Sequence, residues 1–147
     1  MLYLADSSLP VSEQTSVFKD LADWLRGTDI LPTGCSITIA DLEPRTNTVS
    51  ITPLKGICKS KQFACGDYEA YIPFAIYYRT PADCNNATYN ALDILNAIGD
   101  ALGDNTTLKL SGGKELVTAV QELTAMKYKQ TGVMCDFVAN YSLTYFS

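Results

Sequence analysis

The 147-residue chain contains no histidine, and that absence removes most of the chemistry its other side chains could do. Serine–histidine and cysteine–histidine hydrolases, histidine-ligated metals and the commonest general base all need an imidazole. Five cysteines remain, Cys35, Cys58, Cys65, Cys84 and Cys135. A nucleophilic thiolate here would have to be activated by a lysine or a helix N-terminus. Only Cys84, just ahead of the second predicted helix, is placed for that. Zinc needs four converging ligands, usually as two close pairs, and Cys58 and Cys65 stand seven apart with lysines between them. Asp93 and Asp100 lie two helical turns apart and could form an acid/base pair. They share a polar helix face with Asn90, Asn96 and Asp104, which a solvated face explains without chemistry. Ser111-Gly112-Gly113-Lys114 invites a phosphate loop, but Leu108 and Glu115 stand where that motif requires glycine and a hydroxyl. No catalytic residue, metal ligand or cofactor follows.

Two patterns suit binding better than catalysis. Tyr68, Tyr71, Phe74, Tyr77 and Tyr78 form an aromatic strand. Such a strand can stack nucleic-acid bases, but only with a basic groove beside it, and this chain carries a net charge of −5. Core and subunit interface are the better account, because tyrosine tolerates a half-wet boundary. Tyr71 and Tyr77, on the less regular side of that strand, are the candidate subunit-interface residues. Lys55, Lys59 and Lys61 form the one local basic cluster. They either discourage edge pairing or face a partner or a lumen.

The elements that carry these residues follow from periodicity. Val17, Phe18, Leu21, Trp24 and Leu25 recur at helical spacing, with Ser12 as a cap candidate and Gly27 as the stop. Residues 35–39 and 48–52 alternate like strands around a turn at 41–45 and read as an antiparallel hairpin. Residues 53–67 read as irregular. Over 68–79 Tyr68, Ala70, Ile72, Phe74, Ile76 and Tyr78 take one face; Tyr71, Ala75 and Tyr77 take the other, as in a central strand. Pro73 predicts a bulge or a locally exposed edge there. Asp83, Asn85 or Asn86 would cap a second helix, whose apolar stripe is Ala91, Leu92, Leu95, Ile98, Gly99 and Leu102. Residues 106–110 form a short strand or link, and 116–128 a strand of ambiguous period. Over 133–145 the odd positions are consistently apolar or aromatic, which predicts a half-buried antiparallel strand.

The expected fold is α+β, a mostly antiparallel sheet with two amphipathic helices packed on one face, as a single domain over 1–147. Apolar residues at 47% and charged residues at 18% exclude disorder and coiled coil. No stretch could cross a membrane as a helix. The first residues lack the basic start and apolar run of a secretory signal, so a reducing cytoplasm with five free thiols is expected. In an oxidising compartment Cys58 and Cys65 could close a hairpin loop.

Three stretches together resemble the minor capsid or tail-terminator (head-to-tail joining) proteins of long-tailed bacteriophages. They are Tyr71-Ile72-Pro73-Phe74-Ala75-Ile76-Tyr77-Tyr78-Arg79-Thr80 running into the helix at 89–102, the acidic proline turn Asp41-Leu42-Glu43-Pro44-Arg45 ahead of a strand, and the alternating C-terminal strand. The resemblance implies a non-enzymatic virion protein without cofactor, assembled in the host cytoplasm. It would form a homo-oligomeric ring, a hexamer, at the head-proximal end of the tail, ending tube growth. Its implied partners are the tail-tube protein and the head-completion or connector protein, with DNA passing close by and no membrane. Two other readings compete: a small protein-binding module acting by strand addition, and a histidine-free hydrolase.

Overall fold

The first periodic apolar stretch folds as helix α1, Val11–Gly27, burying Val17, Phe18, Leu21, Ala22 and Leu25. The computed structural model describes residues 7–81, 85–104 and 108–147, with side chains of the second helix from Asn90 onward. The expected cap, Ser12, lies inside the first turn of α1. Pro10 occupies the N-cap instead, at φ −55°, and its carbonyl accepts the N–H groups of Glu13 and Gln14, both at 3.1 Å. A proline has its φ preset and no N–H to satisfy, so it suits the position ahead of a first turn. At the other end Gly27 is still helical. Thr28 caps, its hydroxyl donating to the Leu25 carbonyl at 2.8 Å, and Asp29 takes the left-handed conformation.

Strands β1, Ser36–Ile39, and β2, Thr48–Pro53, pair in parallel, from Ser36 opposite Thr48 to Ile39 opposite Ile51. The expected antiparallel hairpin is therefore wrong. Alternation identifies the faces of a strand but not its direction. The connection reverses twice, aided by positive φ at Ala40 and Asn47, and so returns β2 to the start of β1. It is also held from outside: the Asn47 N–H donates to the Arg79 carbonyl, and Arg79 Nη1 donates to the Glu43 carbonyl, each at 2.8 Å.

The supposedly irregular segment contains strand β3, Cys58–Gln62, which forms a hairpin with β4, Tyr68–Pro81. Its polar, lysine-rich composition hides it, since an edge strand needs no apolar alternation. The long alternating C-terminal stretch is β6, Met134–Phe146, and it pairs with β4 along its whole length. Pro73 makes neither a bulge nor an exposed edge in that ladder, where it sits opposite Ser142. Its carbonyl points away from β6 and accepts from the Leu54 N–H at 3.1 Å, so its missing N–H points that way too. On that side β4 changes partner, from β3 up to Tyr71 to β2 from Phe74 onward. The proline falls at the seam, where no donor is required.

Helix α2, Asn85–Asp104, precedes β5, Glu115–Thr131, which pairs with β6. The cap candidates Asp83, Asn85 and Asn86, and Cys84, lie outside the described side chains, as do Thr106 and Thr107; residues 108–110 form a link without strand pairing, with Leu108 buried. The sheet runs β1-β2-β4-β6-β5, with β3 also on β4, and every pairing except β1 with β2 is antiparallel. The architecture is α+β.

One face of β4 and β6 carries the core. Phe74 stacks on Tyr141 at 5.5 Å between ring centroids and receives the edge of Phe18 from α1 at 6.3 Å. Tyr141 Oη donates to the Leu95 carbonyl of α2 at 2.5 Å. Ala91, Leu95, Ile98 and Leu102 of α2 are buried, as their spacing predicts. Fully burying an aromatic side chain of this size removes on the order of 200 Å² from water. Glu13 ties α1 to the sheet by accepting from two phenols, Tyr68 Oη on Oε1 and Tyr145 Oη on Oε2, the latter at 2.6 Å.

Candidate assembly surface

The opposite face of the sheet is built in rows, because residues paired across antiparallel strands share a face. Tyr71, Thr144 and Thr118 form one row; Pro73, Ser142 and Val120 the next; then Ala75, Asn140 and Leu123; Tyr77, Val138 and Met126; and Arg79, Asp136 and Lys129. Pro73 and Ala75 are buried at the centre, whereas Tyr71 and Tyr77 are half-buried. Both tyrosines singled out in the sequence as interface candidates thus lie on one face, six residues apart along β4.

Tyr77 packs edge-on against Tyr128 of β5 at 5.1 Å, and burial pushes its phenol pKa up. Sequence reasoning left Tyr128 as the end of an ambiguous strand, and its role needed the register to appear. That register shifts four times along β5, after Leu116, Gln121, Leu123 and Lys127. Bulges twist an edge and put successive residues on unexpected sides. As a result Val120, Leu123, Met126 and Tyr128 all stand about half-exposed, Tyr128 at 59%. A stripe of apolar side chains runs down the outermost strand and continues inward to Val138 and Tyr77.

The stripe ends at an ion pair absent from the sequence reading. Arg79 and Asp136 meet through two parallel hydrogen bonds, Nε to Oδ1 at 2.8 Å and Nη2 to Oδ2 at 3.0 Å. The side chains are 19% and 9% exposed. The carboxylate holds the guanidinium pKa above its ordinary value, and Arg79 has its further bond to the Glu43 carbonyl. The pair is a structural clamp in which each of the three guanidinium nitrogens makes a hydrogen bond. Its sequence signal was faint: an arginine closing an apolar strand, and an aspartate on the polar side of β6, 57 residues away.

The three lysines do not form one patch. Lys55 is exposed in the turn after β2. Lys59 pairs with Ala70 and lays its ammonium over the Tyr68 ring, 4.6 Å from the centroid. A bulge follows, after which Lys61 pairs with Glu69, its Nζ 4.0 Å from the carboxylate. Lys59 therefore shares a face with the core residue Ala70, and Lys61 with Tyr71 on the opposite one.

Asp93 and Asp100 are exposed on α2. Asn96, expected on the same solvated face, instead bonds β5, accepting from Gln121 Nε2 at 2.9 Å and the Ala125 N–H at 3.2 Å. In the glycine loop, Ser111 gives both its N–H and its hydroxyl to Asp20 Oδ2, each at 2.9 Å, and Lys114 Nζ donates to the Ser111 carbonyl. A carboxylate already occupies the donors an anion would need. Cys58 and Cys65 are free thiols, as are Cys35 and Cys135. Burial raises the Cys35 thiol pKa to about 11. Among the described residues no helix is long and apolar enough to cross a membrane.

No protein-family profile matches the sequence, and no curated protein does. Among solved structures, a chain from the virion of a native gene transfer agent particle has the same fold. The two superpose with a TM-score of 0.64 at 17% identity, over 95% of this chain and 100% of the other.

Proposed function

We propose that this protein is a non-enzymatic structural subunit of a phage-like virion, a tail terminator. It closes into a ring of six copies at the head-proximal end of the tail tube, halts tube growth and joins the tail to the head connector. The observation that carries the virion role is the fold shared with a virion chain, over 95% of this chain and 100% of the other. The terminator assignment extends this with the resemblance in residues 41–51, 71–80 and 89–102. A ring requires heterologous contacts between unlike surfaces of one subunit, closing by rotation. In this reading both helices cover the Phe74–Tyr141 face of the sheet and leave the Tyr71–Tyr77 face and the β5 edge to neighbours. Tyr71 and Tyr77 serve the subunit interface, and Lys55, Lys59 and Lys61 face the lumen or the tube and connector proteins.

The test is mass in solution by light scattering over a concentration series, with electron-microscope images of the same sample. A ring-shaped hexamer is the expected result. A monomer at every concentration, both alone and with tail-tube protein, overturns the ring. One observation favours a second reading, strand addition: β5 is a 17-residue edge strand paired on one side only among the described residues. A monomer that captures an extended peptide along β5 would establish that reading instead.

A further inference from the structure

The two edges of the sheet are unlike: one carries an apolar stripe and the other an apolar groove. At the β5 edge the stripe Val120, Leu123, Met126 and Tyr128 stands proud, about half-exposed throughout. At the far edge, beyond β1, a groove of about 510 Å³ opens between α1 and the strands, walled by Val11, Phe18, Ala22, Ile39 and Pro53. Val11 is 76% exposed and Ile39 44%. An apolar ridge and an apolar hollow at opposite ends of one molecule make a contact that propagates head to tail.

We infer that a second copy of this chain occupies the groove, laying its β5 stripe between α1 and β1 of its neighbour. This rests on the ring reading above and names the two surfaces that build it. The area is right: with Val117, five half-exposed side chains present on the order of 500 Å² of apolar surface, the upper end for a monomer's largest patch. That is about the apolar share of an 800 Å² half-interface. The charges do not oppose the contact: on β5 Glu115 and Glu122 are balanced by Lys127 and Lys129, and on the groove rim Arg26 is paired with Asp23 at 2.8 Å, leaving Lys19. The β5 bulges fit the same arrangement, since they turn side chains toward a neighbour and prevent two β5 edges from zipping together.

The test uses the full chain and two double variants, one on each surface. Leu123→Asp with Met126→Asp spoils the stripe; Val11→Asp with Ile39→Asp spoils the groove. Each alone is expected to reduce the wild-type ring to monomers in light scattering, with an unchanged far-ultraviolet spectrum. Mixed one to one, the two variants should form dimers and nothing larger, because one intact stripe meets one intact groove. A groove variant that still forms rings, or a mixture of folded variants that stays monomeric, overturns the contact while leaving the ring reading intact. A wild type that is monomeric both alone and with tail-tube protein overturns the ring reading itself. Should an aspartate variant misfold, Leu123→Ser with Met126→Ser is expected to raise the concentration needed for assembly at least tenfold, and an unchanged threshold counts against the contact.

Discussion

Replacing Asp136 by alanine tests whether the Arg79–Asp136 pair holds the sheet together as its geometry implies. The substitution leaves a guanidinium that is 19% exposed without its carboxylate partner. Breaking a buried pair by removing one partner costs about 3–5 kcal/mol, chiefly because the remaining charge stays uncompensated. Arg79 keeps its 2.8 Å bond to the Glu43 carbonyl and some contact with water, so the lower end, about 3 kcal/mol, is expected. The assay is urea unfolding followed by fluorescence of Trp24, the only tryptophan, which packs against the core. With a urea dependence of roughly 2 kcal/mol per molar, the midpoint should fall by about 1.5 M. On heating, Tm should fall by about 6–12 °C. Replacing both partners by apolar residues, Arg79→Met with Asp136→Leu, should recover at least half of the loss, since a packed apolar pair avoids the desolvation cost. Two results refute the reasoning: a midpoint shift below about 0.3 M for Asp136→Ala, or a double variant no more stable than the single one. The first would mean that water already screens the pair.

Three further outcomes follow from buried polar groups. Glu13→Gln should cost about 1.5–3 kcal/mol in the same unfolding assay by weakening the bonds from Tyr68 and Tyr145, and should speed amide exchange in α1. Burial raises the phenol pKa values of Tyr68, Tyr77, Tyr78, Tyr141 and Tyr145, with Tyr78 at about 12. Above the ordinary value near 10 the unfolded chain ionises first and binds fewer protons than the native state. Stability therefore falls as pH rises from about 10 to 12, by up to about 1.4 kcal/mol per pH unit for the deeply buried Tyr141 and by less for Tyr68 and Tyr77, which water screens. A Tm unchanged between pH 9 and 11 would contradict this, and Tyr141→Phe should make the decline shallower. Thiol labelling at pH 8 should modify the exposed Cys65 first, Cys35 much more slowly and the buried Cys135 last; equal rates would show that the fold does not shield them.

What the sequence made legible was whatever a local period could carry. The odd positions from 135 to 145 are all buried, as their alternation predicts, and so are Val17, Phe18, Leu21 and Leu25 of α1 and Ala91, Leu95, Ile98 and Leu102 of α2, while Trp24 and Leu92 are partly buried. Direction and partner were not legible, because they depend on residues far along the chain. The parallel pairing of β1 and β2 rests on a loop anchored by Arg79, and the harmlessness of Pro73 on a change of neighbour that no local pattern encodes. β5 was obscured by its own bulges, since four shifts within 17 residues destroy a period of two. The candidate assembly surface was half visible for the same reason. Tyr71 and Tyr77 stand out on a regular strand, whereas Tyr128, Leu123 and Met126 gain meaning only once β5 lies beside β6.

The order of strands also sets a timetable for biosynthesis. β6 is the last strand of this sheet to be made, yet it lies between β4 and β5 and bonds both. At ribosomal speeds of roughly 5–20 residues per second, β4 waits several seconds for the strand that covers its whole length. During that wait Ile72, Phe74 and Ile76 lack their β6 neighbours, and the bulged β5 has no ladder to join. Folding of this sheet is therefore a late event that closes from the middle outward, and a chain cut short before β6 would leave two separate strand sets with nothing between them.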